Sequence, residues 1–449
     1  MFHSSKKDIL NGNILQQMLL FFFPALLGYL LQQAYTFVDS MVLGRFVGKE
    51  ALAAVGGSST AIINIILNLV SGISSAVTVL VAQNYGRGDI QKVSDSVKTG
   101  MFASVVIGGI ISVLMILAAP QLLVLMQCPQ ETISQSLTYM NLYFVSLVPY
   151  FVYQTGVAIL RALGDSKRPV YFILITAVTK IGFDLLLAGV FKLGVLGTSL
   201  ATLISHLVCA IAILVIFHLT PDIYQYSIKK DFSYDKEELL KTLKIGIPFA
   251  IYNMMFAIPN TFIQLKINGF GTDAIAAYSA FNTVDSLFWC YSNSIAAATL
   301  TMVGQNYGNG NIRRVRKIAY TAVLMEVVGA LFIGGSFYLF GDKLLTLFLT
   351  DVDVIALGKR MLNIIAFSYL VYIPIEPVSS TCKGVGSGKA LMYIATISIC
   401  VVRIIYILFY PQKNEVYPVF SFALSWIITS IAYVIYFYSN EKLKVKENV

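Results

Sequence analysis

Seven ionisable residues lie inside apolar stretches long enough to cross a bilayer: the acids Asp39, Asp184, Asp285, Glu326 and Glu376 and the bases Lys180 and Arg403. An ionisable group at membrane depth costs at least ~2.5–3.5 kcal/mol on insertion scales, so each is a functional candidate by default. The excess is acidic, which suits a cationic substrate or ion. Asp39 ends a polar stripe with Gln32 and Thr36 at i, i+4, i+7, which is one helix face. A matching stripe follows in the next apolar run: Asn64, Asn68, Ser71 and Ser75. The competing reading leaves Asp39 solvated at the outer interface, with Arg45 six residues on; the inward run of polar residues favours a buried role. Asp184 follows Lys180 by four residues, so both side chains share a face. A plain salt bridge is one reading. The sharper one is a proton-sensitive pair, because burial favours the neutral acid while the ammonium favours the ionised one.

Asp285 belongs to a polar and aromatic stripe with Tyr278, Asn282 and Trp289. Glu376 stands between Pro374 and Pro377, which must break or kink its helix. Arg403 is placed to neutralise one of these two acids, and Glu326, with no stripe around it, reads as structural. Tyr139, Tyr143, Ser146, Tyr150 and Tyr153 recur at intervals of four, three, four and three, with Gln154 beside them. Tyrosines gather at membrane surfaces, but this stripe spans about four turns, too deep for a surface belt alone. Aromatic faces attract organic cations. The thirteen methionines add adaptable surface, though most serve packing or lipid contact.

These residues sit in a chain of 449 residues that is 57% hydrophobic and 12% charged. Soluble domains carry about 25% charged residues, and several apolar runs exceed the ~20 residues that span a bilayer. The chain therefore reads as an all-α polytopic membrane protein. Twelve spans are expected near 14–38, 53–81, 97–119, 132–160, 169–190, 194–218, 242–266, 275–303, 314–340, 355–381, 389–411 and 415–438. The first is too long for a signal-peptide core and lacks a cleavage site. With the N-terminus inside, cytoplasmic segments hold 22 of the 32 Lys and Arg residues and outer segments hold 8. That asymmetry places both termini in the cytoplasm. It also accounts for the net charge of +9 as a topology signal, which argues against a nucleic-acid partner. The polar segment 220–241 reads as a cytoplasmic linker between an N-terminal lobe, 1–219, and a C-terminal lobe, 242–449.

The two lobes repeat each other. AQNYGRGDIQKV at 82–93 returns as GQNYGNGNIRRV at 304–315, EALAAV at 50–55 as DAIAAY at 273–278, and LRALGDSKRP at 160–169 more weakly as CKGVGSGKAL at 382–391. Six helices per repeat is even, so the lobes relate by a pseudo-twofold axis along the membrane normal, the arrangement that serves alternating access. Gly86, Gly88, Gly308 and Gly310 permit tight turns, and Gln83 and Gln305 are placed to hold them. The structural reading of these loops is favoured over a gate.

FVDSMVLGRFVGKEALAAVG, the two QNYG loops and LRALGDSKRP together resemble the multidrug and toxin extrusion (MATE) family over about residues 12–438. The resemblance implies two six-helix lobes and antiport, in which a toxic organic compound, often cationic, leaves as protons or sodium ions enter. Asp39 with Asp184 resembles the DinF-like and MepA-like branches, whose N-lobe carboxylates carry the coupling ion. Where that pattern has Asn, this chain has Lys180, whose charge would repel sodium, so protons are favoured as the coupling ion and no other cofactor is expected. The expected site is thus Asp39, Asp184 and Lys180 for ion coupling. For substrate it is Gln32, Thr36, Asn64, Asn68, Tyr139, Tyr143, Tyr150, Gln154, Asn282, Asp285 and Glu376. The expected partners are small organic cations or amphiphilic drugs and membrane lipid, with a monomer in the cell membrane. The alternatives are a flippase for lipid or lipid-linked oligosaccharide and a membrane enzyme. A flippase for an anionic lipid-linked substrate needs a basic lining, against the acidic excess here. An enzyme needs clustered catalytic groups, but His3, His206 and His218 are scattered. The five cysteines have neither metal nor disulfide spacing.

Overall fold

The computed structural model describes residues 9–42, 47, 55–56, 58–126, 128, 130–220, 233–409 and 414–444. Most of the first EALAAV copy and of the 220–241 linker lie outside the described residues, as do Lys6, Lys7, Arg45, Lys49, Lys229, Lys230, Lys413 and Lys446.

Twelve helical rods follow one another among the described residues. They are α1 (Ile14–Val42), α2 (Ser58–Arg87), α3 (Ile90–Leu125), α4 (Gln130–Val145 and Leu147–Ala162), α5 (Arg168–Asp184 with a π turn, Leu185–Val190) and α6 (Gly194–Leu219). Then come α7 (Lys236–Asn268), α8 (Thr272–Gly308), α9 (Ile312–Leu345), α10 (Val352–Tyr372 and Ile375–Gly384), α11 (Gly388–Ala395, a π turn at Thr396–Val401, and Val402–Phe409) and α12 (Tyr417–Ser439). Among the described residues, ten helices are long and apolar enough to cross a membrane, eleven when the bent pair in α4 is one span. The remaining rod, α8, has 37 residues but carries Asn282, Asp285, Ser292, Asn293 and Ser294 along its length. The chain is an all-helical, multi-pass membrane protein.

Helix ends run beyond the apolar windows. α3 begins at Ile90 rather than 97, because backbone bonding continues through polar residues that a hydropathy window rejects. Two rods are interrupted where proline removes a donor. In α4 the two segments bend by 46°; Pro149 cannot donate to the carbonyl four residues back, at Val145, and Ser146 Oγ donates to the Tyr143 carbonyl at 2.7 Å. In α10 the break falls at Ile373 and Pro374, as the proline pair around Glu376 predicts.

The chain forms two compact units. One, the N-unit, is Leu27–Ala250; the other, the C-unit, is Met1–Leu26 with Ile251–Val449. The expected lobes had their borders between helices, whereas these fall inside α1 and α7, two residues after Pro24 and Pro248. A proline interrupts the hydrogen-bond ladder and lets the two parts of a helix serve different neighbours. The start of α1 accordingly belongs to the C-unit core: Met18 and Phe22 are buried there, and Arg314 donates to the Ile9 carbonyl at 3.1 Å and to that of Gly12 at 2.5 Å. The start of α7 belongs to the N-unit: Ser96 Oγ donates to Glu238 at 2.9 Å, and the Asp235 amide donates to Thr99 Oγ1 at 3.0 Å. At Gly72 of α2 a Cβ would run into the backbone of Ala250, so only glycine permits this approach.

The duplication is visible in local geometry. Gly88 and Gly310 end their helices at φ 80 and φ 77. Each is followed by a capping side chain, Asp89 accepting from the Lys92 amide at 3.1 Å and Asn311 from that of Arg314 at 3.0 Å. Gly164 and Gly386 repeat the left-handed turn at φ 97 and φ 74, with Asp165 accepting from the Arg168 amide at 3.1 Å but no cap bond from the Ser387 side chain. Gly86 and Gly308 remain helical. Gln83 and Gln305 are both buried.

Candidate functional site

In the N-unit, α1 and α5 bring three charged side chains together. Lys180 Nζ donates to Asp39 Oδ1 at 2.5 Å and to Asp184 Oδ2 at 2.6 Å. Lys180 and Asp184 are buried, Asp184 completely, and 20% of the Asp39 side chain is exposed. One turn of α5 sets the Lys180–Asp184 geometry, while Asp39 comes from 141 residues away in sequence. Asp184 is the last residue before the π turn of α5, a distortion common at functional sites. Its Oδ1 is buried and has no hydrogen-bond partner.

Fully ionised, the three groups sum to one negative charge. A carboxylate buried with half of its acceptor capacity unmet is costly. One proton, or one cation, would neutralise the set. The nearby tyrosines are apolar walls with hydroxyl tips. Tyr35, Tyr139 and Tyr143 all lie within electrostatic range of Asp39. Tyr139 and Tyr143 are buried in the N-unit core, their ring centroids 5.9 Å apart. His206 continues the row: its Nδ1 is 3.0 Å from Ser146 Oγ, and its ring is 5.9 Å from Tyr143 and 5.0 Å from Tyr150. Tyr35 was missed in the sequence, although it stands four residues before Asp39 and spacing alone would have found it.

The polar stripes are placed differently. Gln32, Thr36 and Asn64 are exposed and Asn68 is half-buried. Thr36 Oγ1 donates to the Gln32 carbonyl at 2.9 Å and Asn68 Nδ2 to the Asn64 carbonyl at 2.8 Å, so both bond back onto their own helices. Tyr150 and Gln154 are half-buried beyond the α4 bend.

The C-unit has its own acids. Asp285 accepts from the Tyr369 hydroxyl and from Trp289 Nε1, the latter at 2.7 Å. Tyr369 stacks on Phe288 at 3.6 Å. Asn282 is exposed. Glu376 accepts from the Tyr372 hydroxyl at 2.9 Å and from Ser380 Oγ at 3.2 Å. The expectation that Arg403 neutralises one of these acids is not met. Its guanidinium lies over the Phe422 ring at 4.4 Å and donates to Ser425 Oγ at 2.8 Å and Asn260 Oδ1 at 3.1 Å. Aromatic faces and neutral oxygens take the place of a carboxylate.

Comparison with known proteins gives a consistent picture. The MatE family model matches residues 24–186 and 245–409, one match in each half of the chain. "Probable multidrug resistance protein YpnP" of Bacillus subtilis (strain 168) is 28% identical over 370 residues, 81% of this chain and 80% of that one. "Probable multidrug resistance protein YoeA" of the same organism is 27% identical over 385 residues, 84% and 82% of the two chains. Among solved structures, a multidrug resistance MATE family transporter of the MOP superfamily in an outward-facing conformation aligns with a TM-score of 0.86 at 20% identity, covering 96% of each chain. A MOP superfamily transporter from Pyrococcus furiosus, described as having a binding pocket of reverse polarity that suggests a different function, aligns with a TM-score of 0.88 at 20% identity over 98% of each chain.

Proposed function

The chain belongs to the MatE family, and from that premise we propose that it is a multidrug efflux antiporter, not an enzyme, exporting toxic organic cations in exchange for protons by alternating access. One observation carries the choice of ion: two carboxylates share a single ammonium, and the more buried of them keeps an oxygen without a partner. The group is one positive charge short of neutrality. A proton supplies that charge without coordination, whereas a sodium ion would have to sit beside Lys180. Asp39, the more exposed acid, is the one water and substrate can reach.

In this reading protonation of Asp39 neutralises the site and releases the cation outside. Loss of the proton to the cytoplasm then restores the charge that favours the next cation. Of the tyrosines around Asp39, the half-buried Tyr35 supplies aromatic surface for it. The experiment is uptake of ethidium into everted vesicles under a proton gradient or a sodium gradient imposed separately. Wild-type uptake should follow the proton gradient, and Asp39→Asn, which copies the protonated state, should abolish it while the protein remains folded. Uptake driven by sodium alone at constant pH, or full activity in Asp39→Asn, would overturn the reading.

A further inference from the structure

Glu326, near the middle of α9, is fully buried. Neither of its carboxyl oxygens has a hydrogen-bond partner. Ser292 of α8 is the neighbouring hydroxyl, close enough to act on the carboxyl but outside hydrogen-bonding geometry, and its Oγ is also without a partner. The titratable groups facing Glu326 are Tyr291 of α8 and, from α10, Tyr372 and Glu376. Tyr291 donates its hydroxyl to the Met325 carbonyl at 2.5 Å. The cation of this region, Lys383, lies over the Tyr252 ring at 4.1 Å and acts on Glu376. An ionised Glu326 would therefore be a buried charge with no counter-ion and only the Ser292 hydroxyl beside it, at a cost of several kcal/mol even after relaxation. A neutral acid there costs far less.

We propose that Glu326 is a second proton-carrying site, located in the C-unit, that holds its proton in the state described here and passes it to Glu376 in another state of the transport cycle. Glu376 is suited to receive it: it is half-buried where Glu326 is sealed, and it already accepts from Tyr372 at 2.9 Å. Tyr372, whose hydroxyl donates to Glu376, also lies within electrostatic range of Glu326. The transfer breaks one O–H bond on Glu326 and forms one on Glu376, leaving a carboxylate and an acid as before, with no electron moved. The site is separate from Asp39, Lys180 and Asp184 and stands whether or not those residues set the coupling ion. Only the vesicle measurement below rests on the antiport reading.

Difference infrared spectra of the purified protein at acidic and alkaline pH test it. The wild type should show a protonated-carboxyl stretch that Glu326→Gln lacks. Glu376→Gln should keep that stretch and fail to lose it at alkaline pH, which keeps the test decisive if Glu326→Gln does not fold. In everted vesicles Glu326→Gln should lose proton-driven ethidium uptake while still binding the dye. Identical carboxyl spectra in wild type and Glu326→Gln would overturn the proposal. So would a missing stretch with wild-type uptake, or a thermal stabilisation by sodium that Glu326→Gln abolishes. Failure of the wild type to take up ethidium under either gradient would instead refute the antiport reading, leaving the infrared result to stand alone.

Discussion

Asp39 and Asp184 compete for one ammonium. Removing Lys180 would leave two neighbouring acids, one of them sealed from water, with no cation between them. Lys180→Met is therefore expected to destabilise the protein by about 3–5 kcal/mol, read as a lowered thermal midpoint in detergent. Neutralising all three positions, with Asp39→Asn, Lys180→Met and Asp184→Leu, should recover most of that loss while abolishing proton-driven uptake. Spacing along the sequence exposed half of this site, and the family resemblance added Asp39. Lys180 and Asp184 are four apart on one helix, and helical geometry alone pairs them. Nothing in the spacing joins Lys180 to Asp39, because residues on separate helices meet only through packing. The same limit explains Arg403. A buried base among acids suggested an ion pair, yet the aromatic face of Phe422 and the oxygens of Asn260 and Ser425 came nearer.

At the scale of elements, chemistry that acts on the backbone was the most readable. Pro374 and Pro377 announced the break in α10, and glycines announced the turns that end α2 and α8. Gly310, at φ 77, has open space around a would-be Cβ, so backbone strain alone opposes substitution there. Gly310→Ala should cost about 1–2 kcal/mol. Gly335 also has open space, but in the middle of α9. Gly335→Ala should instead stabilise by about 0.5–1 kcal/mol. Thermal unfolding of the two variants side by side checks the opposite signs. The π turns after Asp184 and within α11 left no trace in the sequence, since one extra residue per turn changes no composition and follows from how a helix meets its neighbours. The bend in α4 was overlooked because the tyrosine stripe reads straight through Pro149.

For the whole molecule, the Lys and Arg asymmetry makes a prediction that needs no atomic detail: both termini face the cytoplasm. A protease site appended after residue 449 should be cut in everted vesicles and protected in intact cells; the reverse pattern would invert the topology. Composition, span length and the offset repeat determined by themselves that this is an all-helical membrane protein of duplicated design, because the bilayer imposes length and apolarity on each helix separately. The repeated loops likewise carried their capping geometry in their own residues. Only the tertiary structure decided that the borders of the compact units fall inside α1 and α7, that Asp39 shares the ammonium of Lys180, and that Glu326 is sealed without a partner. Each of these depends on which side chains meet across helices far apart in the chain. That is fixed by close packing and by the matching of buried charge, and neither leaves a local signature in the order of residues.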